Sequence, residues 1–460
     1  MRKVILAAAA ACALGAAASD PIITTAFTPD PAPYVHGDTI YLFVDHDEDD
    51  AQYFKMKDWL LYSSTDMVNW TFRGVPLSTE AFSWARDGDN AWAAQAVERD
   101  GKWYWYVCAE ELARPGWHAI GVAVADRPEG PYSDGAGKPL ASGILGFIDP
   151  SVFIDNDGQA WLFWGNNGLW YAPLAPDMVS LAAEFREVPG LNDPACFGPM
   201  RLKRDYATNT MMEKTNYEEG PWVFRRGDIY YIVYAAGGVP EHMAYSWARD
   251  INGPWTYGGR IMDEAPGSFT IHGGSIEAGG RNFMFTHNGM APNGGGFRRA
   301  TVIEEFEWQG DSIPFIPQTT GRIRGIATLD PYSRVEAETM AESYGLKTDR
   351  TAGTEHYITR VHNGDWLCVR DVDFGTSAPA ALDMAFAAVK DGGLVEVYLD
   401  RPGGPLLARV TAAPDSQELE YSTAVLPDAS QATGVHDVYL LFRSDSDGEL
   451  FDVDWWKFTK

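Results

Sequence analysis

Three carboxylic acids, a histidine and a tryptophan occupy one position of a recurring pattern. Asp30, Trp92, Asp149, Glu219 and His272 each stand seven or eight residues before a short turn. Hydrolysis of a glycosidic bond needs two carboxyl groups in different protonation states on opposite sides of that bond. One protonates the leaving oxygen and needs a raised pKa; the other stays ionised and activates water or attacks directly. A third carboxylate can hold the acid protonated by like-charge repulsion. Asp30, Asp149 and Glu219 supply these groups. Asp30 and Asp149 both precede proline, where an isolated Asp-Pro is ordinarily a turn. Recurrence at one repeat position, with Glu-Gly-Pro-Trp at a third, favours chemistry over turn-making. Glu218 and Glu219 would point to opposite faces of a strand, and the offset from the turn selects Glu219.

The elements that must position these side chains are hairpins. The turns Gly37-Asp38, Asp100-Gly101, Asp157-Gly158, Gly227-Asp228 and Gly279-Gly280 are flanked by strand patterns such as APYVHGDTIYLFV and PWVFRRGDIYYIVY. Asn, Asp and Gly tolerate the positive φ that two-residue hairpin turns require. A second strand pair follows in each unit (LYSSTDMVNW, VAVADRPEGPY, WYAPLAPDMVSL, AYSWARDINGPW), with RRATVIEEFEW in the fifth. Units of about four strands, repeating at roughly 50–70 residues, predict a five-bladed β-propeller. Equivalent positions then converge on one axis.

Residues 1–19 read as a secretory signal peptide: Arg2 and Lys3, an alanine-rich apolar run, then small residues. No other segment is apolar enough to span a bilayer, so the chain is expected to be exported. The propeller is expected over 20–325, a linker over 326–331 and a second all-β domain, a sandwich, over 332–460, where strands such as LVEVYLD and HDVYLLF alternate. A net charge of −28 argues against nucleic acid and anionic membranes as partners. Aromatic residues make up 13% of the chain, with 17 tryptophans, which leans toward sugar stacking. Cys108, Cys196 and Cys368 form no disulfide framework, and no Cys/His cluster has zinc spacing. No phosphate-binding loop occurs, and no organic cofactor is expected.

The segments DPAPYV, FIDPSVF and EGPWVFRRGDIYYIVY, in order and spacing, resemble glycoside hydrolase family 43 over about residues 28–308. That resemblance implies a five-bladed propeller acting by inversion, with Asp30 as general base, Asp149 as pKa modulator and Glu219 as general acid. It further implies that acid and base stand roughly 6.5–9.5 Å apart. His272, opening HGGSI, matches a histidine near the axis that holds water or a metal ion, often calcium. His287, in FTHNG, ranks below it. Trp92 matches an aromatic wall of the sugar site, and Arg299, rather than Arg298, a substrate-binding arginine. The family acts on plant cell-wall polysaccharides. An α-L-arabinofuranosidase on arabinoxylan is the expected activity and a β-xylosidase the alternative; a non-catalytic glycan-binding propeller is the rival from another class. The sequence leaves the oligomeric state open.

Residues 334–460 resemble carbohydrate-binding module family 6, a β-sandwich of jelly-roll type, through RVEAETM, HNGDWLCV and LFDVDWWKF. The resemblance implies a structural calcium on Glu336, Glu338 and Asp454, whose hard oxygens suit that ion. The usual sugar cleft departs from the pattern: Arg360, Glu418 and Asp452 stand where aromatic or neutral sugar contacts are expected. Glycan binding in that cleft is therefore not expected.

Overall fold

Alternating strand patterns broken by glycine-containing turns form antiparallel hairpins, because glycine and aspartate supply the backbone conformations that reverse the chain. The computed structural model describes residues 20–205, 208–319, 322–349, 355–413, 420–426 and 428–460. Four of the five expected turns join their strands directly, as in the pairing of His36 with Thr39 and Arg226 with Ile229. Asp100-Gly101 and Gly279-Gly280 have positive φ at both positions, whereas Gly37 and Gly227 have it at the first alone. The Asp157-Gly158 turn differs from expectation. It sits in a longer loop between Ser151–Ile154 and Ala160–Trp164, closed by Asp155 N–H donating to Gln159 O at 2.9 Å.

Five antiparallel sheets result. Blade 1 is built on Ala32–His36, Thr39–Asp45, Asp58–Ser64 and Trp70–Phe72; blade 2 on Trp92–Arg99, Lys102–Glu110, Trp117–Ala125 and Ala141–Ile144. Blade 3 comprises Ser151–Ile154, Ala160–Trp164, Trp170–Pro173 and Arg186–Glu187; blade 4 Tyr217–Arg226, Ile229–Ala236, His242–Ala248 and Thr256–Met262. Blade 5 has three strands instead of the expected four: Gly274–Ala278, Arg281–Asn288 and Ala300–Phe306. After Phe306 the chain leaves in a proline-containing stretch that cannot continue a ladder. The leading strand of blade 1 lies against those of blades 2 and 5, blade 2 against blade 3, and blade 3 against blade 4. Trp222 of blade 4 packs on Gly274 of blade 5 and completes the ring.

Apolar cores fill the seams between neighbouring blades. Trp103 of blade 2 sits 5.3 Å, centroid to centroid, from both Tyr34 and Tyr41 of blade 1. Trp59, Trp70, Trp105, Trp164, Trp255 and Trp456 are fully buried. Much of the aromatic excess therefore serves packing, since large rings bury the most area per residue. The three described cysteines are buried and free.

The C-terminal region forms two facing sheets over a separate core. One holds Phe451–Thr459 and Ala381–Val389 at its centre; the other holds Trp366–Asp373, Val435–Arg443 and Gly393–Leu399. The two regions share a sheet, which the sequence did not lead us to expect. Thr339–Met340 pairs with Trp70–Phe72 and extends blade 1 at its outer edge. The expected linker is tied to both sides: Ile326 N–H donates to Asp66 O at 2.9 Å, and Leu329 bridges to Val372. Among the described residues, no helix is long and apolar enough to cross a membrane.

Candidate active site

All five blades contribute to one cavity of about 230 Å³. Asp30, Trp92, Asp149, Glu219, His272 and Arg299 all line it. The backbone explains how. Asp30 and Asp149 have φ of 53° and 58°, immediately before Pro31 and Pro150. In blade 4 the corresponding residue before proline is Gly220, at φ 62°. Aspartate is among the few non-glycine types that tolerate this region, and proline's ring restricts the residue before it. The leading strands of blades 1, 3 and 4 thus share a positive-φ residue followed by proline. Glu219 sits one position earlier than the aspartates in this frame, at a β-bulge in the Tyr217–Arg226 strand, a device that re-aims side chains. Glu218 points away, to Arg201 and to Lys203 Nζ at 3.3 Å.

Asp30 lies in a basic nest. Arg299 Nη1 approaches its Oδ1 at 3.4 Å, His287 Nδ1 at 3.2 Å and His272 Nδ1 at 3.5 Å. Burial alone would push the carboxyl up; Arg299, then His287 and His272, outweigh it and hold Asp30 well below the usual carboxylate range. Arg299 is itself fixed by Asp47, with Nε–Oδ2 at 3.0 Å and Nη2–Oδ1 at 3.1 Å. Burial pushes His272 down to about 4 against the pull of Asp30, so its ring is neutral near pH 7.

The opposite wall is acidic. Asp149 Oδ2 accepts the Gly220 N–H at 3.1 Å, and burial, then the charges of Glu219 and Asp30, push Asp149 well up. Glu219 accepts a hydrogen bond from Asn166 Nδ2 and is also pushed up, by burial first. One pocket therefore holds a carboxyl pushed down, Asp30, together with two pushed up, Asp149 and Glu219. Trp92 supplies an apolar face, stacked on His118 with centroids 4.7 Å apart, and its Nε1 donates to Phe54 O at 3.1 Å.

Two residues of this arrangement, Asp47 and Asn166, escaped the sequence reading, and His287 was ranked below His272 there. His287 is fully buried and holds Asp30 on one ring nitrogen and Thr270 on the other. Asp47 fixes Arg299, and Asn166 holds Glu219. No local pattern marks these partnerships: His287 meets a residue 257 positions away.

The chain from 19 to 314 matches the model of glycosyl hydrolases family 43. The chain belongs to glycosyl hydrolases family 43. Residues 336–460 of this family 43 enzyme match the carbohydrate binding module (family 6). An arabinoxylan arabinofuranohydrolase of Paenibacillus polymyxa is 28% identical over 96% of this chain and 74% of its own. A xylosidase/arabinosidase of Bacteroides ovatus is 28% identical over 61% of this chain and 92% of its own. A crystal structure of an arabinoxylan arabinofuranohydrolase from Bacillus subtilis, in complex with cellotetraose, shares the fold with a TM-score of 0.76. It is 23% identical over 96% of this chain and 98% of that one.

In the sandwich, Glu336 and Asp454 share Arg334, whose Nη2 lies 2.7 and 3.2 Å from their oxygens. Glu338 is buried, its Oε2 has no hydrogen-bond partner among the described residues, and burial, then Glu336, pushes it well up. Carboxylate oxygens of this kind suit calcium, and Arg73, Arg127 and Arg334 line the same corner. The three carboxylates do not converge as one set, however. Among the described residues, only His46, Glu48 and Asp58 offer ligand atoms all within 4.8 Å of one another. That trio is already joined by His46 Nδ1 and Asp58 Oδ1 at 2.7 Å, and Lys57 reaches Glu48 at 3.2 Å. At the usual sugar cleft, Asp452 is paired with Lys390 at 3.1 Å and Arg360 has φ of 57°; Glu418 lies outside the described residues.

Proposed function

We propose that this enzyme removes arabinofuranosyl units from arabinoxylan by single displacement with inversion. Asp30 takes a proton from water as the oxygen attacks the anomeric carbon. The bond to the leaving oxygen breaks, and that oxygen takes the proton of Glu219. Asp30 then returns its proton to solvent, and Glu219 regains one. The observation carrying this reading is the asymmetry of one pocket: Arg299 beside Asp30 holds that carboxyl well below the usual range against its burial, while burial pushes Glu219 up. Asp149, hydrogen-bonded to the backbone beside Glu219, would keep that acid oriented. Trp92 would pack on the sugar ring.

The arabinofuranosidase reading is supported by relatives of that name which span nearly the whole chain. A β-xylosidase is the second reading, supported by relatives matching the propeller alone, among them a beta-xylosidase of Xylanibacter ruminicola. Hydrolysis of p-nitrophenyl α-L-arabinofuranoside and β-D-xylopyranoside, with Glu219→Ala as control, separates them. Preference for the arabinoside supports the first reading; preference for the xyloside replaces it. Activity undiminished in Glu219→Ala on arabinoxylan itself, whose alcohol leaving group needs protonation, would overturn both. Export is proposed on the sequence of residues 1–19, which lie outside the described residues, and calcium on Glu336, Glu338 and Asp454 on the buried Glu338 oxygen that has no hydrogen-bond partner among the described residues.

A further inference from the structure

Two glutamates stand side by side in the leading strand of blade 4, and only one of them lines the cavity. The pleat of the strand does not decide between them, because the ladder slips there. Tyr217 pairs with Ala236 and Glu219 with Ala235, so Glu218 is the extra residue of a bulge. A hairpin outside the five blades grips this point. Arg201–Asp205 and Thr210–Lys214 form a two-stranded sheet of their own, closed by Lys214 Nζ and Asp205 Oδ2 at 3.0 Å. Alternation leaves Leu202 and Arg204 exposed and buries Lys203, whose side chain is 2% exposed. Its amine donates to Tyr217 O and stands 3.3 Å from Glu218 Oε2, with Arg201 on the same carboxylate. Blade 3 closes the grip. Asn167 N–H donates to Glu218 O and its Nδ2 to Arg204 O of the hairpin, both at 2.7 Å. Tyr217 OH donates to Gly165 O at 2.6 Å, and Asn166 holds the Glu219 carboxyl.

We propose that Lys203 is a positioning residue for the acid: by holding the Tyr217 carbonyl and the Glu218 carboxylate on the hairpin side, it locks the bulge so that Glu219 faces the cavity. This rests on the reading of Glu219 as general acid. A bulge released at Tyr217 loses the contact that fixes the chain two residues before the acid, and it frees a second carboxylate one residue away. Proton transfer needs the acid within hydrogen-bond reach of the leaving oxygen, and displacement by about 1 Å is enough to cost much of the rate. An amine donates to a carbonyl in either protonation state. The hold on Tyr217 O therefore survives the burial that, ahead of Arg201 and Lys214, pushes Lys203 down to about 7.

The test uses the full chain and two glycosides of the sugar it prefers, one with an acidic phenol as leaving group and one with an alcohol. Lys203→Met keeps a long apolar stem but donates no hydrogen bond. The kcat on the alcohol glycoside is expected to fall about tenfold with KM little changed. The phenol glycoside, which needs little protonation, changes less. A merely structural role would lower both rates together and leave their ratio alone. Lys203→Met combined with Glu218→Gln removes the buried charge that the single variant leaves behind, so it decides the matter even where the single variant fails to fold. Its alcohol-to-phenol ratio is expected to stay low. A wild-type ratio in this double variant overturns the proposal, because Lys203 would then serve only to neutralise Glu218. Glu218→Gln alone leaves Lys203 on Tyr217 O and is expected to keep the ratio; an equal loss there also overturns it. Glu219→Ala separates the two ideas. If it spares the alcohol glycoside, the assignment of the acid itself fails. If it abolishes that activity while the double variant keeps the wild-type ratio, the role of Lys203 alone fails.

Discussion

Asp30 carries a negative charge where burial alone would make it neutral, and Arg299 is the largest opposing influence. Arg299→Ala would leave Asp30 and Asp47 buried without their cation. Removing one partner of a buried pair costs about 3–5 kcal/mol. The pH dependence has a fixed sign. A carboxyl held below its unfolded value of about 3.9 contributes stability above that value and loses it as pH falls. Asp30 must be ionised to accept a proton from water, so raising it by Arg299→Ala moves the acidic limb of kcat/KM to higher pH. His287 remains 3.2 Å from Asp30, so the nest weakens without vanishing. Rate profiles of wild type and variant from acid to neutral pH check this. Coincident acidic limbs would show that Arg299 does not set the charge on Asp30.

At the scale of elements, what was legible followed from backbone chemistry. Gly37, Asp100, Gly227 and Gly279 marked hairpin turns because few residues adopt positive φ. The offset from those turns placed Asp30 and Asp149 at leading-strand starts and selected Glu219 over Glu218. In the structure Gly220 takes the positive-φ place beside Glu219, where a Cβ would lie 2.8 Å from the His272 ring. The rank of His287 and the role of Asp47 were not legible, since they depend on partners brought by other blades, Asp30 for the one and Arg299 for the other. The sandwich shows both sides. Its calcium carboxylates were read from resemblance, yet Arg334 sits between Glu336 and Asp454. Calcium joining the strands Val335–Glu336 and Phe451–Thr459 would relieve the charge on Glu338. Chelation of the full chain should then lower the unfolding temperature of the sandwich, with recovery on adding calcium and not magnesium, which demands tighter octahedral geometry. An unchanged calorimetric trace after chelation, with metal analysis showing no calcium beforehand, would remove the ion from this account.

Across the whole molecule, the sandwich behaves as a part of the catalytic unit. Thr339–Met340 covers the exposed edge of blade 1, and the Thr71 and Thr339 hydroxyls meet at 2.8 Å. Asn69 clamps the backbone of Arg370 on both sides, its Nδ2 donating to O and its Oδ1 accepting from N–H, each at 2.8 Å. The contact reaches toward the cavity. Lys347 Nζ lies 2.8 Å from Asp49 Oδ1, in the loop between Thr39–Asp45 and Asp58–Ser64 that carries Phe54 and Met56 into the site. A sheet shared between two cores couples their unfolding, since neither can open without exposing the other's edge. The wild type is therefore expected to melt in one calorimetric transition. Asn69→Ala removes two hydrogen bonds to the half-buried Arg370 backbone, worth about 0.5–1.5 kcal/mol each. That loss should split the trace, with an earlier transition for the sandwich. It should also raise KM more than it lowers kcat, because Asp30 and Glu219 stay in place while the Phe54 loop loosens. Two transitions already present in the wild type would mean that the shared strand transmits nothing, and the C-terminal domain would then act as an appended module.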